Sequence, residues 1–288
     1  MTTFGVELEH ASPMAHGDLA HALQRTGLPA RTAAYSGRAY DVWQVKSDVT
    51  IPTNASARHQ VEIVSPVLTW GEGDSLAQLQ TVCQVAADAG GKVLRPRGSS
   101  SAGLHVHVSF QDLTPAQLAA WGRIWQGQQA TTDTLVRSGR ESGGRNANWC
   151  SVLTSRQWDQ FCTAAGTGDR LGVAHSAGGH HLAVNTQWFR ERGTIEIRQR
   201  DGSLNFKKIV GWVAYIIATK EHARSGLVFN GQQDYLTWLE EQGFITADHR
   251  AWAERRTDGG EAPATTHAAQ VTNTAQQRLA RLRSLQGI

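Results

Sequence analysis

The stretch GLHVHVSF, residues 103–110, sets His105 and His107 two residues apart inside an apolar run. Side chains at i and i+2 of a strand share a face. Both imidazoles therefore point one way, and Val106 and Val108 the other. The same alternation recurs along the chain. In FGVELEH, Glu7 and Glu9 oppose Val6 and Leu8, and in GTIEIRQR, Glu196, Arg198 and Arg200 oppose Ile195 and Ile197. HQVEIVSP sets Glu62 between Val61 and Ile63, and VWQVKSD puts Lys46 and Asp48 on one face. Each stretch alone has an ordinary explanation, since half-exposed antiparallel strands alternate polar and apolar residues anyway. A lone H-x-H is more often a hydrogen-bonded pair than a metal site. The combination asks for more. Three glutamates crowded on one sheet face repel one another unless cations neutralise them. Carboxylates with one imidazole suit Mg²⁺ or Mn²⁺ better than a thiolate-seeking metal. Mg²⁺ favours phosphate oxygens, and arginines beside it serve phosphate or a developing charge. On this reading the face is a platform for metal, nucleotide and carboxylate.

The elements that must position these groups are legible in outline. Strands are expected at TFGVELE, DVWQVKSD, HQVEIVSP, KVLRP, GLHVHVSF, HHLAVNTQW and GTIEIRQR. GDSLAQLQTVCQVAADAGG reads as a helix capped by Asp74 or Ser75. LTPAQLAAWGRIWQGQQA starts a helix with Thr114 as N-cap and Pro115 at its first position. LNFKKIVGWVAYIIATKEHA is a long, buried helix, and DYLTWLEEQG and DHRAWAERR are shorter ones. The strands lack a regular strand–helix beat, which predicts an α+β fold around a largely antiparallel sheet. There is no G-x-G-x-x-G after a strand and no G-x-x-x-x-G-K-[ST] loop, which disfavours a Rossmann or P-loop fold.

Composition removes other classes. The chain has 288 residues, 40% hydrophobic and 18% charged, with a net charge of +3. No apolar run approaches the ~20 residues of a membrane span, and MTTFGVELEH has no signal-peptide pattern. A cytoplasmic protein is expected. Cys83, Cys150 and Cys162 are odd in number and widely spaced, against a disulfide framework or zinc knuckle. The basic run QQRLARLRSLQ alternates with leucines and reads as an amphipathic helix, against nucleic-acid binding. It follows a polar linker, residues 257–267.

The order E-x-E, a lone Glu, G-x-H-x-H and E-x-R resembles the carboxylate–amine ligases of the glutamine synthetase and glutamate–cysteine ligase superfamily. More closely, FGVELE, VWQVKSDVTI, VEIVSPVL, GLHVHV, RNANWC and VNTQWFRERGTIEIRQRDGSLN resemble its amidoligase family over residues 4–222. The resemblance implies a curved, largely antiparallel sheet of the glutamine synthetase catalytic-domain type. It implies a catalytic domain over residues 1–225 and a helical extension over 226–288. It also implies ATP and Mg²⁺ or Mn²⁺ as cofactors, and a carboxylate and an amine or ammonia as substrates. Glu7 and Glu9 would divide between two metal sites. Glu62 would join Glu9, and His105 would complete the other site with Glu7 and Glu196. His107, Lys46 and Arg200 would lie toward the nucleotide, and Arg198 would contact the transferring phosphoryl group. Arg145 would hold a second phosphate or the substrate carboxylate, and Asp48 would bind or deprotonate the amine. Asn185 and Asn205 also match the family pattern. Two other readings stand beside this one. A zinc hydrolase using His105 and His107 explains H-x-H but leaves Arg198, Glu7 and Glu9 idle. A nucleotide- or peptide-binding module on the same scaffold would need lost ligands, yet every acidic position is filled.

Overall fold

A computed structural model describes residues 1–34, 41–94, 102–135, 150–227 and 229–245, with isolated positions up to 254. The strands are β1 (Thr3–Ser12), β2 (Ala30–Thr32), β3 (Trp43–Lys46), β4 (His59–Val64), β5 (Leu68–Thr69), β6 (Gly103–Ser109), β7 (Val184–Asn185) and β8 (Thr194–Asp201). The helices are α1 (His16–Arg25), α2 (Gly73–Asp88), α3 (Pro115–Leu135), α4 (Ser155–Thr167), α5 (Arg170–Ser176), α6 (Phe189–Arg192), α7 (Phe206–Arg224) and α8 (Gln232–Glu241). One sheet runs β2-β3-β4-β1-β6-β8-β7, with β5 also pairing β1. Its pairs are antiparallel except β2–β3. The fold is thus mixed α+β around a largely antiparallel, unclosed sheet, as the absence of a strand–helix beat predicts.

Alternation decides which sheet face is buried. Val6 and Leu8, Val61 and Ile63, Leu104, Val106 and Val108, and Ile195 and Ile197 all enter one core. They pack with Leu79 and Val82 of α2, Trp121 and Trp125 of α3, and Ile209, Val213 and Ile216 of α7. Each such buried side chain contributes about 2 kcal/mol, which fixes the register and leaves the polar residues on the other face. Tyr235, Leu236 and Leu239 of α8 belong to the same core, and the Tyr235 hydroxyl bonds that of Tyr215.

Several local expectations hold. Thr114 caps α3, accepting from the Gln117 N–H at 3.3 Å while Gln117 Oε1 accepts from the Thr114 N–H at 2.9 Å. Asn205, named in the sequence for its match to the family pattern, is instead the cap of α7, accepting from the Lys208 N–H at 3.1 Å. None of the cysteines forms a disulfide, and burial pushes the Cys83 thiol up to about 12.

Others need correction. The described residues of KVLRP supply a bridge from Lys92 to Ala11, beyond the Phe4–Leu8 stretch of β1 that β6 pairs, while Arg95 and Pro96 lie outside the described residues. HHLAVNTQW shrinks to Val184–Asn185, because side chains turn the flanking backbone. Asn185 Oδ1 accepts from the Gly179 and Gln187 N–H groups, and Thr186 Oγ1 from that of Ala177. Helix α2 begins after Glu72, without a side-chain cap. Ser75 Oγ instead accepts from the Thr69 N–H at 3.0 Å. Helices α1, α4, α5 and α6 arise outside the expected set. Arg145, the 257–267 linker, the terminal helix and most of DHRAWAERR lie outside the described residues.

Candidate active site

Strand register lays the polar residues out in rows across the sheet. In one row, Asn185 pairs with Glu196, Glu196 with His107, and His107 with Gly5. In the next, His105 pairs with Glu7, Glu7 with Val64, and Val64 with Gln44. In the third, Glu9 pairs with Glu62, and Glu62 with Lys46. Residues nearly 200 positions apart in the chain thus meet on β1, β4, β6 and β8. Between β6 and β8 the register shifts: Leu104 faces Arg200 while Val106 faces Ile197, so two residues of β6 span three of β8. Such a bulge re-aims side chains. Here Arg198 meets His105, at 3.2 Å from NH1 to Nδ1.

Glu7 is the hub. Its Oε2 lies 2.8 Å from His105 Nδ1 and its Oε1 lies 3.0 Å from His107 Nε2. His105 reaches onward, with Nε2 at 3.2 Å from Glu9 Oε1 and Nδ1 at 3.6 Å from Glu196 Oε1. Glu196 receives Arg198 NH1 at 2.5 Å on Oε1 and Asn185 Nδ2 at 2.8 Å on Oε2. The Gly103 N–H donates to Glu9 Oε2 at 2.5 Å. Lys46 Nζ stands 3.8 Å from Glu62 Oε2. Asp48, just past β3, accepts from the Thr50 N–H and hydroxyl at 2.8 and 2.7 Å.

Electrostatics divide this cluster. Burial would push the Glu7 carboxyl up, but hydrogen bonds and charge from His105 and His107 hold it well below the usual carboxylate range. Burial likewise opposes ionisation of Glu196, which Arg198 and His107 nevertheless hold low. Burial disfavours the His107 cation, yet Glu196 and Glu7 outweigh that and raise its pKa. Glu62 goes the other way. Burial and the carboxylates of Glu7, Glu9 and Asp48 raise it well above the usual range, against the pull of Lys46. Its buried Oε2 makes no hydrogen bond among the described residues.

That orphaned oxygen, amid excess negative charge, fits a bound cation. Three overlapping sets bring one ligand atom per residue within 4.8 Å of one another: Glu7, His107 and Glu196; Glu7, Glu62 and His105; and Glu9, Asp48 and Glu62. Oxygen-rich donors of this kind suit a hard divalent ion. His107 therefore sits among candidate ligands, and Asp48 joins the acidic corner of Glu9 and Glu62. Asn205 stands apart as the α7 cap. Gly103 and Thr50 are supporting contacts that side-chain chemistry alone does not flag, because they act through the backbone or from a turn.

A buried row of carboxylates and imidazoles, edged by Arg198 and Lys46, defines a candidate metal- and anion-handling centre on an antiparallel sheet. Residues 1–219 match the family described as "Putative amidoligase enzyme", and the chain belongs to that family. No curated protein matches it significantly. Among solved structures, the crystal structure of the complex between the prokaryotic ubiquitin-like protein Pup and its ligase PafA aligns at 12% identity with a TM-score of 0.38. That alignment covers 98% of this chain and 64% of the other, so the chain spans less than two thirds of that relative.

Proposed function

We propose that this protein is an ATP-dependent carboxylate–amine ligase, built on a sheet of the glutamine synthetase catalytic-domain type. The observation that carries the reading is the meeting of Glu7, His105, Glu196 and Arg198, from three separated strands, at one connected centre. Membership of the amidoligase family supports it.

The reaction has two steps. A substrate carboxylate oxygen attacks the γ-phosphorus of ATP, and the bond to ADP breaks with its electron pair leaving on ADP. An amine then attacks the carbonyl carbon of the acyl phosphate. The carbon–oxygen bond breaks, inorganic phosphate departs, and the amine's proton passes to a base. Two anions must approach in the first step, so charge stabilisation carries most of the catalysis. Glu7, Glu9, Glu62, His105 and Glu196 would hold Mg²⁺ or Mn²⁺. Such ions supply neutralisation of phosphate oxygens.

The chain's own groups do the rest. Arg198, pinned by Glu196, contacts the transferring phosphoryl group. His107 and Lys46 serve the nucleotide, and Arg145 a second anionic group; Arg200, which the bulge sets opposite the core residue Leu104, is left out of this set. Asp48 receives the amine: together with Glu9 and Glu62 it makes a corner that attracts an ammonium, and a carboxylate there can take its proton. The substrate is a peptide, an amino acid or a related small carboxylate. The catalytic unit is residues 1–225, with 226–288 as a helical extension, and the reaction belongs in the cytoplasm.

The test is ADP release, with hydroxylamine as the amine and a panel of amino-acid and peptide carboxylates, read as hydroxamate. Glu7→Gln and Glu196→Gln should each lower turnover by about a hundredfold or more while the protein stays folded. Wild-type turnover in both variants would end the assignment. So would stoichiometric, tightly held zinc with ATP-independent hydrolysis.

A further inference from the structure

The loop between α5 and β7 carries adjacent histidines that the proposed chemistry leaves without a role. His180 and His181 are both exposed, and their ring centroids lie 4.1 Å apart. The loop is tied down at several points. Asn185 Oδ1 accepts from the Gly179 N–H at 3.0 Å, while the same side chain's Nδ2 donates to Glu196 at 2.8 Å. The His181 carbonyl accepts from the Ser151 N–H at 2.8 Å, and the Ala183 carbonyl accepts from the Arg198 N–H, also at 2.8 Å. The loop is thus bonded at Ala183 to the strand that presents Glu196 and Arg198, and His180 feels the charge of both.

The site's charge is unevenly spread. Glu9, Glu62 and Asp48 gather at the β3–β4 side, where Lys46 stands 3.8 Å from Glu62, while Arg198, held by Glu196, is the cation on β8. From this juxtaposition we propose that His180 is a further contact to the phosphoryl end of the nucleotide, held beside Arg198 by the Asn185-anchored loop. The inference rests on the nucleotide reading above. Burial and the charges of His181 and Arg198 outweigh Glu196 and hold the His180 pKa below its ordinary value. A neutral ring there offers a phosphate oxygen an N–H without crowding a second cation against the guanidinium.

Calorimetric titration of the full chain with Mn²⁺ and AMP-PNP, and separately with Mn²⁺ and AMP, tests this. His180→Ala should weaken AMP-PNP binding about tenfold and leave AMP binding unchanged, and His180→Gln, which keeps an N–H donor, should recover most of the loss. Unchanged AMP-PNP affinity in His180→Ala would overturn the inference. So would an equal loss for AMP and AMP-PNP, the mark of a collapsed loop. A wild-type protein that binds no AMP-PNP would refute the nucleotide reading itself, and this inference with it.

Discussion

Glu62 carries charge where the fold disfavours it. Its carboxyl is buried opposite Glu9 on β1, its pKa is raised by burial and three neighbouring carboxylates, and Lys46 at 3.8 Å compensates only in part. Glu62→Gln keeps the shape and removes the repulsion. In the presence of EDTA it should stabilise the fold by about 1 kcal/mol, as relief of a strained functional site does. It should also lose any stabilisation by Mn²⁺. Urea denaturation with and without the ion checks both, and a destabilised variant that still responds to Mn²⁺ would contradict the ligand role. At this scale much was readable from sequence. The i, i+2 pairs at Glu7/Glu9 and His105/His107 carry their facing with them, since strand periodicity is strict. What could not be read is partnership. Pairing of His107 with Glu7 and Glu196 depends on cross-strand register, and Arg198 reaches His105 through a bulge that no spacing rule announces.

Elements carry two further expectations. Lys220 on α7 is fully buried. It bonds Asp112 Oδ1 at 2.6 Å and Thr2 Oγ1 at 3.0 Å, tying the helix to the β6–α3 turn and the chain's start. Asp112→Ala would strand that ammonium and should cost about 3 kcal/mol. Glu221→Ala, which removes one of the two exposed carboxylates that Arg224 meets, the other being Asp112, should cost less than about 1 kcal/mol. Thermal melts of the two variants give the comparison, and equal losses would deny Lys220 its structural role.

The second element-scale expectation concerns pH. His222 stacks on Phe229 with centroids 4.0 Å apart and meets Trp238 edge-on at 5.1 Å. Burial lowers its pKa from the ordinary 6.5, against a weaker pull from Asp234. The fold thus prefers neutral His222, and its contribution is complete above the unfolded value and fades as pH falls through and below it. His222→Phe should remove this acid-side loss, seen as a smaller drop in urea midpoint between about pH 8 and about pH 5. An unchanged drop would mean that the ring titrates alike folded and unfolded. Helices were only partly legible. The Thr154–Gln157 capping box of α4 is a readable signal, whereas α5 is seven residues long, too short for periodicity to mark.

At the scale of the whole molecule, one sheet face is spent on the core and the other on charge, and that division joins sequence to function. The candidate ligands on β1, β4, β6 and β8 come together only when the sheet is formed, so an ion bound there should stabilise the entire fold. Mn²⁺ at about a hundred times its dissociation constant should add about 2.7 kcal/mol. The most direct measurement of the central claim is anomalous scattering from crystals of the protein grown with Mn²⁺ and AMP-PNP. Manganese peaks bounded by Glu7, Glu9, Glu62, His105 and Glu196, with triphosphate density on the Arg198 side, are the predicted result. Manganese found only elsewhere, or a nucleotide bound away from this face, would contradict it.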